Sequence, residues 1–155
     1  MQTFLPYPSF RQSAKCLDTK RLGKQRVECK QILIALGYGV GENEGNPNSR
    51  WRSHPAVRMW RGHEFYLADY SLAVCAEWKF ARGYRDTLHK QFYRLWTRLG
   101  MARDWPAPSW LGMPELHASH RSNLLRKNAA HYGCFGWLEH DGLEYVWPVN
   151  DREAA

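Results

Sequence analysis

The hydrophobic and polar positions divide the chain into helical stretches between turn signals. Residues 1–10 are apolar and aromatic, but Pro6 and Pro8 forbid a helix there. They predict an extended strip, laid across the surface or into a groove, that holds the first amine in a defined place. A first helix is predicted from about Ser9, with Phe10, Ala14 and Leu17. Asp18 or Thr19 can cap a second, which runs to about Leu36 with Leu22, Cys29, Leu33 and Leu36 at helical spacing. Its other face carries Arg21, Lys24 and Glu28. Gly37, Gly39 and Gly41 stop it, and residues 42–49 read as a polar loop.

Ser53 or His54 caps the next start, with Pro55 as first helical residue. Val57, Trp60, Phe65, Leu67, Leu72, Val74, Trp78 and Phe80 predict one long helix, kinked near Gly62 and ended by Gly83. Further helices are predicted over Thr87–Leu99 and from Pro114 to about Ala130, separated by an irregular stretch over 104–112. Residues 143–147 then alternate around a His140-Asp141-Gly142 turn, which predicts a β-hairpin over about 136–148. The fold class expected is mainly α, a compact single helical domain over 1–155 with that small C-terminal hairpin.

Composition narrows the partners. Of 155 residues, 24% are charged and 44% hydrophobic, which excludes wholesale disorder. Lys and Arg exceed Asp and Glu by 22 to 15, a net charge of +7, and 14% of residues are aromatic. Cations meet phosphates and rings stack on bases, so this pairing fits nucleic acid. A well-packed basic domain would have the same composition. No stretch has the length of a membrane span, and the N-terminus lacks a signal-peptide pattern. Cys16, Cys29, Cys75 and Cys134 form no Cys-x-x-Cys, so reduced, buried thiols in a cytoplasmic protein are expected. His117, His120 and His131 have no companion Cys pair or His-Glu-x-x-His, so no metal or other cofactor is expected.

Three basic clusters are candidates for a phosphate track: Lys20-Arg21-Lys24-Arg26, Arg50-Arg52-Arg58-Arg61 and Arg121-Arg126-Lys127. Taken singly, each is better described as a solvated helix face; the three together favour a phosphate track. Glu28 is the acid that stands out, a carboxylate on an otherwise basic face. There it could stabilise an oxocarbenium-like sugar, or simply pair with Lys24. His54, beside Trp51 and Arg52, could contact phosphate or shuttle a proton, or merely end a helix.

The runs Arg21-Leu22-Gly23-Lys24-Gln25-Arg26-Val27-Glu28-Cys29 and Trp51-Arg52-Ser53-His54-Pro55-Ala56-Val57 resemble the pyrimidine-dimer DNA glycosylases of the phage endonuclease V type. The likeness continues through Glu64-Phe65-Tyr66, Ala76-Glu77-Trp78-Lys79 and Arg82-Gly83-Tyr84. It returns over His120-Arg121-Ser122-Asn123-Leu124-Leu125-Arg126-Lys127 and His131-Tyr132-Gly133. It implies an all-α fold acting as a monomer on duplex DNA with a damaged or modified base, at a flipped-out nucleotide. It also implies an N-terminal amine that attacks the sugar C1′ carbon, and a glutamate that stabilises the sugar cation and assists strand cleavage. Glu28 matches that glutamate, and Met1 would supply the amine. Arg21, Lys24, Arg26, Arg52, His54, Arg121, Arg126 and Lys127 would grip the DNA. The family's amine belongs to a small residue exposed by loss of the initiator methionine. Here the bulky Gln2 follows Met1 and leaves it in place, one residue further out. The alternatives on the same scaffold are a non-catalytic binder of DNA or modified bases, and an enzyme acting on free nucleotides.

Overall fold

Side-chain caps set the first helix starts. Ser9 accepts from the Gln12 N–H and opens α1 (Phe10–Cys16), and Asp18 accepts from the Arg21 N–H and opens α2 (Thr19–Ala35). After a 3-10 turn over Arg50–Ser53, His54 caps the short α3 (Pro55–Arg58), with Pro55 at its first position. The computed structural model describes residues 1–148 and continues with α4 (Glu64–Ala76), α5 (Leu88–Ala102), α6 (Pro114–Lys127) and α7 (Ala129–Tyr132).

The long helix expected from Val57 to Phe80 is two helices. Gly62 adopts φ +83°, a left-handed conformation no right-handed helix can contain, so the chain breaks there and restarts at Glu64. Beyond Ala76 it widens into a π turn, Glu77–Ala81, in which the Arg82 N–H donates to the Glu77 carbonyl at 3.0 Å. The Arg82 guanidinium then donates to the Leu17 and Lys15 carbonyls at 2.6 and 3.1 Å, tying this turn to the end of α1.

Helix α4 packs against α1, α2 and α5. Trp60, Tyr70, Phe92 and Tyr132 are fully buried in the core, with Leu5, Leu17, Leu22, Ile32, Leu33, Leu67 and Leu116. At roughly 1.5–3 kcal/mol for each large apolar side chain, this cluster is the main source of stability. Cys16, Cys29 and Cys75 lie buried within it as free thiols, and burial pushes those of Cys16 and Cys29 up to about 12. Cys134 differs, being exposed on a 3-10 turn over Gly133–Phe135.

The C-terminal β-hairpin is not formed. Among the described residues there is no β-strand, and the one antiparallel bridge joins Val40 to Asn43 in the loop after α2. Residues 137–148 instead run as irregular chain along α6, whose buried polar stripe takes up their backbone groups. Ser122 Oγ donates to the His140 carbonyl and accepts from the Leu143 N–H, at 2.5 and 2.9 Å. Asn123 donates to the Leu143 carbonyl at 3.0 Å, and the Val146 N–H donates to Ser119 Oγ at 3.2 Å. With helix side chains as partners, these peptide groups need no strand opposite them.

Candidate active site

The extended N-terminal strip lies in a groove between α2, α4 and α6, with residues 2–6 buried. An extended chain there must find a partner for each peptide group, and side chains from distant helices supply them. On α2, Gln25 accepts from the Phe4 N–H at 2.9 Å and donates to the Gln2 carbonyl at 2.8 Å. On α4, the Tyr70 hydroxyl donates to the Phe4 carbonyl at 2.7 Å. On α6, His120 Nδ1 accepts from the Leu5 N–H, His117 Nδ1 meets the Leu5 carbonyl, and Arg121 donates to the Pro6 carbonyl, at 2.8, 2.7 and 2.8 Å. Trp60 Nε1–H donates to Thr3 Oγ1 at 2.9 Å.

The two histidines carry no charge at neutral pH. Burial pushes His120 down to about 3, and the nearby His117 adds to the shift. His117 is also lowered, by burial first and by Arg121, against the pull of the Leu5 carbonyl. Its Nε2 accepts from the Gly112 N–H, which leaves the proton on Nδ1 to meet that carbonyl.

Glu28 receives the start of the strip. Its Oε2 accepts from the Gln2 N–H at 3.2 Å and from Gln25 Nε2 at 3.1 Å, and its Oε1 lies 3.5 Å from Lys24 Nζ. One residue's backbone separates Gln2 N from the Met1 nitrogen, so that nitrogen lies within about 7 Å of the carboxylate. Met1, Gln2 and Glu28 share a cavity of about 390 Å³. Lys20, Arg21, Lys24 and Lys127 give it a cationic wall, and the rings of Phe4 and Tyr145 an aromatic one. Burial, then Arg21, Arg126 and Lys24, hold the Lys127 ammonium below its ordinary value, with Glu28 opposing them.

The sequence-predicted residues part company here. Met1, Glu28, Arg21, Lys24 and Lys127 meet at the cavity. Arg21 also pairs with Asp18 at 2.8 Å and donates to the Lys127 carbonyl at 3.3 Å. His54 stands close enough to feel both the first residue's ammonium and Glu28. Burial and the ammonium lower its pKa, against Glu28. Its Nδ1 accepts from the Ala56 N–H, and its ring meets Trp51 and Trp147 edge-on. Arg26 points elsewhere, bonded to the buried Asp86 and lying 4.8 Å from the Trp78 ring centroid. Arg121 bonds Glu139 through Nε at 2.9 Å, Arg126 bonds Asn123, and Arg52 donates to the Pro47 carbonyl at 3.1 Å.

Sequence reading missed Tyr145, assigned to a hairpin, and Gln2 as a wall of the cavity. Local spacing held no signal for either. Gln25 was legible as a polar residue within a basic cluster that could contact bases or sugars, and the structure turns it instead onto the strip.

The family model described as pyrimidine dimer DNA glycosylase matches residues 1–92, which hold the strip, Glu28 and His54. The chain belongs to this family. No curated protein and no solved structure matches it. The family implies an enzyme with DNA as its substrate. The matched residues stop before α6, so the helix that carries His117, His120 and Lys127 against the strip lies outside them. Among the described residues of this glycosylase-family chain, no three His, Cys, Asp or Glu side chains group as a metal site. No described helix is long and apolar enough to cross a membrane.

Proposed function

We propose that the chain is a DNA glycosylase with abasic-site lyase activity, acting through the Met1 amine and Glu28 on a damaged or modified pyrimidine in duplex DNA. The reading is carried by one observation: the first residue and Glu28 line the same cation-walled cavity. A base must leave the stack before its sugar can be attacked, and the 390 Å³ cavity offers aromatic faces and cations to an extruded nucleotide.

The neutral amine attacks C1′, and the bond from C1′ to the base breaks with its electron pair leaving on the base, which takes a proton from solvent. Positive charge shared between C1′ and the ring oxygen develops beside the Glu28 carboxylate, which stabilises it. The attached nitrogen loses a proton, its lone pair forms the C1′=N imine as the bond from C1′ to the ring oxygen breaks, and that oxygen keeps the electron pair and takes up a proton. Elimination of a C2′ proton and the C3′ oxygen then breaks the strand. Lys20, Lys24 and Lys127 would hold the flanking phosphates. His54, held low in pKa, would stay neutral at pH 7 and add no positive charge beside the amine.

Borohydride reduces an imine to a stable amine. Incubation with abasic or ultraviolet-damaged duplex plus borohydride is expected to yield a covalent complex, located by mass spectrometry on residue 1. Glu28→Gln keeps an acceptor for the Gln2 N–H and is expected to abolish turnover. An absent adduct together with uncut strands would overturn the reading. A second reading has its own support: Glu28 already accepts from two donors and faces Lys24, as the latch of a non-catalytic binder would. Under it, duplex binding is indifferent to Glu28→Gln, falls on Lys24→Ala and leaves the DNA unchanged.

A further inference from the structure

A second cationic feature among the described residues lies away from the amine. Helix α5 contains no acidic residue, and Lys90, Arg94 and Arg98 recur on it every fourth position, which places them in one exposed row. Such a row repels itself. Acids usually relieve it, as Asp18, Asp86 and Glu139 do for Arg21, Arg26 and Arg121. Among the described residues no ion pair forms at Lys90, Arg94, Arg98 or Lys30.

Lys30, Arg94 and Arg98 converge on a cavity of about 630 Å³ between α5 and the loop that follows α2. Glu42 is the one carboxylate lining it, so positive charge dominates. Lys30 follows Glu28 by two residues, about 200° around α2, so this cavity lies on the far side of that helix from the amine. Its wall also holds a buried acceptor: Gln91 Oε1 is shielded from solvent and has no hydrogen-bond partner. The Gln91 amide packs onto Gly41, where φ is +65° and a Cβ would stand 2.4 Å from that oxygen. The loop and the amide come this close where residue 41 has no side chain.

Cations call for an anion, and a buried carbonyl oxygen calls for an N–H. A phosphate carrying a nucleobase supplies both. We infer that the cavity between α5 and the α2 loop is a second ligand site that takes a phosphate-bearing nucleotide, either as one unit of a DNA strand or free. Lys30, Arg94 and Arg98 hold the phosphate, Lys90 extends the track along α5, and the Gln91 amide, turned out from under Gly41 into the cavity, accepts from the base. The inference does not rest on lyase chemistry, so the borohydride adduct can fail or form without bearing on it.

The test pairs the full-length chain with its Arg94→Gln/Arg98→Gln variant, both positions being exposed. An undamaged 30-base-pair duplex is titrated across a salt series, and thymidine and deoxyguanosine 5′-monophosphates are titrated while the Gln91 side-chain amide is followed by NMR. If the site takes a DNA strand, the variant binds duplex about tenfold more weakly and its log K against log salt slope shrinks by about 2. If it takes free nucleotide, a monophosphate shifts the Gln91 amide signals saturably in the unmodified chain and not in the variant. Either result supports the site. Unchanged duplex affinity and slope, with Gln91 signals unmoved by either nucleotide, overturns it. Should the variant misfold, the Gln91 titration of the unmodified chain with both duplex and monophosphates decides alone, since an unmoved amide excludes both sources.

Discussion

Gln25 meets three elements at once, which makes it the residue on which the strip's geometry depends. It bonds the Gln2 carbonyl, the Phe4 N–H and Glu28 Oε2, and its oxygen also accepts from the Tyr70 hydroxyl at 2.8 Å. Gln25→Ala leaves several buried groups without partners. It is expected to cost about 3 kcal/mol in denaturant unfolding, at 1–3 kcal/mol per orphaned group. His120 makes stability depend on pH. Its folded pKa of about 3 lies below the ordinary 6.5, so between those values the unfolded chain binds the extra proton. Its contribution is therefore complete above pH 6.5 and is lost as pH falls, by about 1.4 kcal/mol per unit. His120→Asn keeps an acceptor for the Leu5 N–H and cannot titrate, so its stability should fall less steeply between pH 6 and 4 in urea melts. Arg26 belongs to this scale too. The Asp86 side chain is covered by it, so Arg26→Ala removes that carboxylate's ion-pair partner, leaves it, among the described residues, only the His89 N–H, and should cost about 3 kcal/mol.

At the scale of elements, α6 has two working faces. His117, His120 and Arg121 hold the start of the chain, while Ser119, Ser122 and Asn123 hold its later residues 140–146. Ser122→Ala removes one donor and one acceptor from that second seam. It is expected to speed amide hydrogen exchange at Leu143, while that of α4 stays as it was. Local pattern described α6 well as a helix and poorly as a platform. Its Ser119, Ser122 and Asn123 are polar by type, yet all three are buried. The alternation over 143–147 invited a hairpin because period two marks extended chain, whatever its partner. Here the partner is a helix.

Across the whole molecule, the cations divide between the cavity at the amine and a row on α5, which residue counts conceal. The excess of +7 suggested three clusters, but buried or half-buried acids occupy Arg21, Arg26 and Arg121, and the unpaired row stands on α5. A helix start near Ser9, a cap at Asp18 or Thr19 and another at Ser53 or His54, the stop near Gly37 and the period of α2 and α5 were legible in the sequence alone, as was Glu28 as the candidate acid. Each depends on neighbours within about four residues, or on a family likeness carried by contiguous runs. Tertiary structure decided the rest: that Gln2 meets Glu28 across 26 positions, that His120 meets Leu5 across 115, and which cations keep an acid. Those outcomes follow from burial, which forces a partner on every peptide group and charge it covers, and burial is set by elements far apart in the chain.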